Sequence, residues 1–117
     1  MLWFYRDVLG CGVERRKDEV GLIQLRAGRS LVDLVPVESE LGRAGGAAPG
    51  REGHNMDHVC FRLESFDEAA LARHLSEHGV EPGRVVTRYG AEGDGPSMYI
   101  SDPEGNTVEL KGPPDSP

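Results

Sequence analysis

Basic side chains are the minority in this sequence: 13 Lys and Arg stand against 20 Asp and Glu, a formal net charge of −7. A surface of that sign repels polyanions, so nucleic-acid partners and anionic membrane surfaces are excluded. Cysteine is almost absent. Cys11 and Cys60 are the only two, and two thiols in unlike contexts make no disulfide framework, so a reducing, cytoplasmic setting is expected. No apolar run approaches the ~18 residues that a membrane-spanning helix needs. The opening residues have no basic stretch ahead of an apolar one, so no secretory signal is read there. Glycine and proline are plentiful, at 16 and 8 of 117 residues. That composition calls for many turns and short elements and excludes a helical bundle. The length suits one domain, 1–117, with its own core.

Along the chain, residues 2–9 read as a helix closed by Gly10, a residue that tolerates the left-handed turn at a helix end. Residues 13–17 read as an exposed strand. Residues 20–26 and 30–37 are apolar, β-branched runs around Ala27-Gly28-Arg29, which predicts a hairpin with a three-residue loop. Residues 38–56 have no hydrophobic period and are read as a mobile connector or lid. Residues 57–63 form the next strand. Ser65-Phe66-Asp67-Glu68 reads as a capping box led by Ser65, opening a helix that ends at His78 and Gly79 with Leu71 and Leu75 as its apolar stripe. Strands follow at 85–89, 97–101 and 107–111, and a frayed tail at 112–117.

The order α-β-β-β, connector, β-α-β-β-β contains a repeat. Leu31-Val32-Asp33-Leu34-Val35 parallels Thr107-Val108-Glu109-Leu110-Lys111: each sets one carboxylate between two aliphatic residues on the last strand of its half. This predicts an α+β fold of two βαβββ modules, 1–37 and 57–111, with the first lacking its opening strand. The counterpart of His58 falls upstream of Met1, so either the chain starts late or the fold dispenses with that strand.

Strand alternation places His58, Cys60 and Arg62 on one face of residues 57–63 and Val59, Phe61 and Leu63 on the other. Glu109 shares its face with Thr107 and Lys111. If the two strands curve round one cavity, a His58 nitrogen and a Glu109 oxygen are donors for one divalent ion, Zn, Ni, Mn or Fe(II). Tyr99 and Arg62 are candidates to bind a polar substrate group, or to cap the sheet edge. The glycine-rich stretch from Arg88 to Gly95 lacks the Lys-Ser/Thr of a phosphate loop and opens no helix, so it is read as a plain loop. His74 and His78 are one helical turn apart with no third ligand in view, and read as a helix end favouring a cation. Cys60 reads as a small buried thiol.

Three stretches, WFYRDVLG at 3–10, MDHVCF at 56–61 and MYISDPEGNTVEL at 98–110, resemble the vicinal oxygen chelate superfamily, which includes glyoxalase I, bleomycin and fosfomycin resistance proteins and extradiol dioxygenases. The resemblance spans nearly the whole chain. It implies a curved mixed sheet wrapped round a metal or ligand cavity, with His58 and Glu109 as the second module's metal ligands. Glu109 or Asp33 is then the carboxylate that moves a proton, and the stretch carrying Arg88 borders the substrate. Asp33 stands where some members carry a first-module ligand, and the histidine of the family's opening strand has no counterpart here. A dioxygenase needs two such histidines, so the resemblance favours a glyoxalase-like lyase or isomerase that chelates vicinal oxygens of a small molecule. The alternative is a metal-free binding protein of the bleomycin-resistance kind. Members of this size commonly pair modules between two chains, which implies a homodimer.

Overall fold

The computed structural model describes residues 1–116. Chain contacts divide it into two compact units, the first Met1–Asn55 and the second beginning at Met56.

The first unit opens with a turn of π-helix, Phe4–Val8, in which the Leu9 N–H reaches back to the Phe4 carbonyl at 3.0 Å. An ordinary α-helix over 2–9 is not what forms. No side chain caps the start, as expected of a helix that opens at the chain terminus. Phe4, Tyr5 and Val8 are buried, with the two rings edge to face at 5.0 Å. Gly10, at φ +76°, then turns the chain out of the helix, a conformation glycine adopts without strain.

Strands β1 (Val13–Lys17), β2 (Leu22–Ala27) and β3 (Ser30–Leu34) follow as an antiparallel meander in that order. Leu25, on the central strand, is completely buried. Ala27 pairs with Ser30, so the hairpin loop has two residues, Gly28 and Arg29, and not the three expected. Gly28 sits at φ +61° and Arg29 has a negative φ. Positive φ at the first central position alone is the type II′ pattern, whose twist matches the flanking strands. The stretch 38–56 contains a short helix, α1 (Glu40–Ala44). It was hidden by its own glycine: Ser39 caps it by accepting from the Gly42 N–H at 3.1 Å, and a Cβ at Gly42 would lie 2.1 Å from the Pro36 carbonyl oxygen.

The second unit runs β4 (His58–Arg62), α2 (Glu68–Glu77), β5 (Val86–Gly90), β6 (Gly93–Ser101) and β7 (Thr107–Lys111). It is a βαβββ module with sheet order β4-β7-β6-β5. β4 runs parallel to β7 and the other pairs are antiparallel. The first unit has three strands against these four, without a counterpart of β4. Two-residue alternation divides the sheet. Met98, Ile100, Val108 and Leu110 are buried on one face, each contributing on the order of 1.5–3 kcal/mol from apolar burial. The other face carries His58, Cys60, Arg62, Ser97, Tyr99, Glu109 and Lys111.

Helix α2 starts later than the sequence pattern predicts. Asp67, not Ser65, is its cap, accepting from the Ala70 N–H at 3.0 Å. Two cap-type residues precede the helix, and the one adjacent to its first turn wins. Leu75 is its fully buried residue, and Gly79 at φ +73° follows the last turn. His78 Nδ1–H donates to the His74 carbonyl at 2.8 Å, so this histidine closes a helix end.

β6 is four residues longer at its start than expected. The stretch 88–95 is no loop: Gly90 pairs with Gly93, leaving Ala91-Glu92 as a two-residue turn. The tail is also held. The Gly112 N–H donates to the Pro96 carbonyl at 2.8 Å and the Asp115 N–H to the Asp94 carbonyl at 2.7 Å; of the expected frayed segment, Pro117 lies outside the described residues.

Candidate functional site

The register between β4 and β7 sets Cys60 beside Glu109, and the register between β7 and β6 sets Glu109 beside Tyr99. These three therefore share one row on the polar face. His58 lies one row away on the same face, within diagonal reach of Glu109. Its Nε2 is 3.0 Å from Glu109 Oε1, and its Nδ1 is 2.7 Å from Asp57 Oδ2. The imidazole is thus bracketed by two carboxylates.

Electrostatics follow from that bracket. Both ring nitrogens face acceptors, and a neutral imidazole has only one N–H to give. A cation must sit on the second nitrogen, either a proton or a metal ion. Without a metal, the hydrogen bond to Asp57 raises the pKa of His58, and the charge and hydrogen bond of Glu109 add to that against the opposing effect of burial.

Glu109 is 7% exposed. Its second oxygen, Oε2, accepts from the Ser97 hydroxyl at 2.7 Å. Arg88 Nη1 donates to Ser97 Oγ at 3.1 Å and to the Ser97 carbonyl at 3.2 Å, and its guanidinium lies 4.3 Å from the centroid of the Tyr99 ring. Tyr99 meets His58 edge to face at 5.3 Å. One connected chain therefore runs Arg88, Ser97, Glu109, His58, Asp57, with Tyr99 packed along it.

A cavity of about 530 Å³ opens on this face, lined by Cys60, Arg62, Glu109, Lys111, the β5–β6 turn and the tail. Arg62 is tied across it to Glu92 at 2.6 Å and also donates to the Leu63 carbonyl. Cys60 is exposed and free, not the buried thiol expected. Its pKa is pushed up by desolvation, with Glu109 adding to the rise and Lys111 opposing it, so it is a poor nucleophile.

The donors can be tested against a metal. Two ligands of one ion, with bonds of about 2.1 Å at roughly 90–110°, put their donor atoms about 3.0–3.4 Å apart. The separation of His58 Nε2 and Glu109 Oε1 is in that range. A carboxylate on the far ring nitrogen is the common support of a metal-bound histidine, and Asp57 fills that place. The pair fits a divalent ion by chemistry and spacing. It supplies two protein bonds only: among the described residues no group of three or more His, Cys, Asp and Glu gathers round one point.

Of the residues marked in the sequence, the second unit brings together His58, Glu109, Tyr99 and Arg88, with Arg62 on the cavity wall. Asp33 lies on β3 of the first unit, exposed, with Oδ1 accepting from Gln24 Nε2 at 3.1 Å. Three residues were missed. Asp57 precedes β4, where alternation says nothing about direction. Ser97 is two residues before Tyr99 and so on the same face, a signal that was there to read. Lys111, 6% exposed, shares the parity of Glu109.

The sequence matches the family model of the glyoxalase/bleomycin resistance protein/dioxygenase superfamily over residues 1–110. Among solved structures, a virulence protein from Salmonella typhimurium is similar at 26% identity and TM-score 0.73, over 96% of this chain and 84% of that one. An integron cassette protein from the mobile metagenome of V. cholerae is similar at 26% identity and TM-score 0.69, over 93% and 80%. A lactoylglutathione lyase from Agrobacterium tumefaciens shares the fold at 22% identity and TM-score 0.61, over 94% and 81%. No curated protein matches the sequence significantly.

Proposed function

The chain belongs to the glyoxalase/bleomycin resistance protein/dioxygenase superfamily, and from that premise we propose that it is a glyoxalase-like protein in which His58 and Glu109 hold a divalent ion, Zn, Ni, Mn or Fe(II), against a small-molecule substrate. The observation that carries this reading is the bracketed imidazole, with Nδ1 on Asp57 and Nε2 3.0 Å from Glu109 Oε1. His58 and Glu109 would hold such an ion, and it would supply Lewis-acid stabilisation of negative charge on substrate oxygens.

The chain's own residues have separable tasks in this reading. Asp57 holds the Nδ1 proton, which leaves the Nε2 lone pair facing the donor position. The Ser97 hydroxyl fixes Glu109 Oε2, and Arg88 fixes Ser97, so Glu109 is held with Oε1 towards His58. Tyr99, packed against His58, offers a hydroxyl to a polar substrate, and Arg62 on the cavity wall has only Nη2 left for one, its Nε and Nη1 being held by Glu92 and the Leu63 carbonyl. Glu109 is the proton-moving carboxylate within this unit, and Asp33 is the candidate in the first. A cytoplasmic homodimer is part of the same proposal.

A second reading, a metal-free binding protein, is favoured by one observation. A proton on His58 satisfies both flanking carboxylates without any metal. Metal analysis of the purified protein separates the two. The lyase reading expects a divalent ion in the wild type, lost in both His58→Ala and Glu109→Ala. Full loading of both variants overturns the ligand assignment, and no uptake by the wild type selects the metal-free binder.

A further inference from the structure

Lys111 is an ammonium-bearing side chain buried to 6% exposure in the wall of the cavity. Its housing is built from glycine. A Cβ on Gly90 would lie 2.9 Å from Lys111 Cε, and a Cβ on Gly95 would lie 3.0 Å from Lys111 Nζ. The glycines on β5 and β6 therefore leave a trench that the lysine fills. Among the described residues, Nζ makes one long hydrogen bond, 3.4 Å to the Gly93 carbonyl, and no carboxylate stands within 4 Å of it. Two of its three N–H donors remain for a partner. Burying an ammonium without a counter-charge is costly, so the site is poised for an anion that enters the cavity.

We infer that Lys111 is the subsite for a carboxylate group of the ligand. This rests on the reading that the polar face binds a small molecule, and adds which chemical class that molecule belongs to. A carboxylate suits the site better than a phosphate for two reasons. The lining charges, Arg62 and Lys111 against Glu92 and Glu109, balance before the ligand arrives, so a single negative charge is easier to accept than two. Arg62, the residue type that grips phosphate with paired bonds, is already engaged by Glu92 at 2.6 Å. Lys111, which has no carboxylate partner among the described residues, is a point charge.

The test uses the full chain after chelator treatment, so that its outcome does not depend on any metal. Benzoate, benzamide and phenylphosphonate share one apolar body and differ in charge; each is titrated while backbone amide resonances are followed. Benzoate is expected to shift the Gly90, Gly93 and Gly95 signals, and benzamide is not. Lys111→Met should weaken benzoate by at least about tenfold, the usual size of a lost charge-assisted hydrogen bond. Gly90→Ala keeps the charge but pushes the lysine aside, and should weaken benzoate as well with the fold intact. Equal benzoate affinity in wild type and Lys111→Met, equal affinity for benzamide, or no benzoate binding overturns the inference. Tighter phenylphosphonate binding overturns the choice of carboxylate. Failure of the metal reading shows separately, in the ion content of His58→Ala and Glu109→Ala.

Discussion

His58 Nε2 lies 3.0 Å from Glu109 Oε1, although the two residues are not register partners: His58 sits beside Thr107 and Glu109 beside Cys60. The contact is a diagonal between parallel strands, and it needs both side chains to lean towards one point. Ser97 holds Glu109 from the other side and Asp57 holds His58, so the lean is built in. A pair of opposite character brought this close on the polar face of a sheet, beside a cavity, is the feature on which the functional reading turns.

Asp57 supports His58 at almost no cost to the fold, since its side chain is 96% exposed. Asp57→Asn should therefore leave thermal stability nearly unchanged at pH values above the His58 titration, and lower divalent-ion affinity by about 10–100-fold, the usual effect of removing a carboxylate behind a ligating histidine. Titration with a competing chelator measures this. Unaltered affinity would count against the role given to Asp57.

Stability of the metal-free protein should depend on pH through His58. Its folded pKa is raised, first by Asp57 and then by Glu109. The stabilisation is fully present below the ordinary imidazole value of about 6.5 and is lost as pH rises through the raised folded value. The melting temperature in chelator should fall over that window, and Asp57→Asn should flatten the fall. A melting temperature that rises there would contradict the bracketed imidazolium.

Ser97→Ala removes the donor from a buried carboxylate oxygen. The expected cost is about 1–3 kcal/mol by denaturant unfolding. Arg88 keeps its bond to the Ser97 carbonyl, so the cation–π contact with Tyr99 should survive, and the loss should come from Glu109. Adding Glu109→Gln should recover part of it, because a neutral side chain tolerates burial better. A full additive loss would place the cost elsewhere.

Much of this site was legible because it lies on strands. Period-two alternation in HVCFR and TVELK put His58 and Glu109 on polar faces before any coordinates. Register was not legible. Nothing in the sequence states that β4 pairs in parallel with β7, and that pairing brings the two together. Asp57 sits outside the strand, where side-chain direction depends on the turn into β4. Lys111 was passed over because a terminal strand lysine ordinarily points to solvent; its burial depends on glycines more than a dozen residues away. Those same glycines made 88–95 look like a loop. Glycine is read as a breaker in one strand's sequence, yet here it makes room for a side chain from another.

The turn between β6 and β7 sets the register that the site depends on, and Asp102 holds that turn. The carboxylate is 5% exposed. Oδ1 accepts from the N–H groups of Glu104 and Asn106, both at 2.9 Å, and Oδ2 accepts from Asn106 Nδ2 at 2.8 Å. The Asp102 N–H in turn donates to the Asn106 carbonyl at 2.9 Å, and Gly105 supplies φ +80°. Ser101 is thereby set opposite Thr107, which fixes Tyr99 opposite Glu109 two residues further in. Asp102→Ala orphans two backbone donors and should cost about 2–3 kcal/mol. Asp102→Asn keeps the Oδ1 acceptor and both backbone bonds to it while changing the Oδ2 contact to Asn106, so it should cost less. The decisive readout is the His58 titration followed by NMR. If the turn sets the register, the alanine variant should move the His58 pKa towards its ordinary value, though the contacts given above for residue 102 lie within its own turn. An unmoved titration in a destabilised protein would show that the β6–β7 register is held by the strands alone.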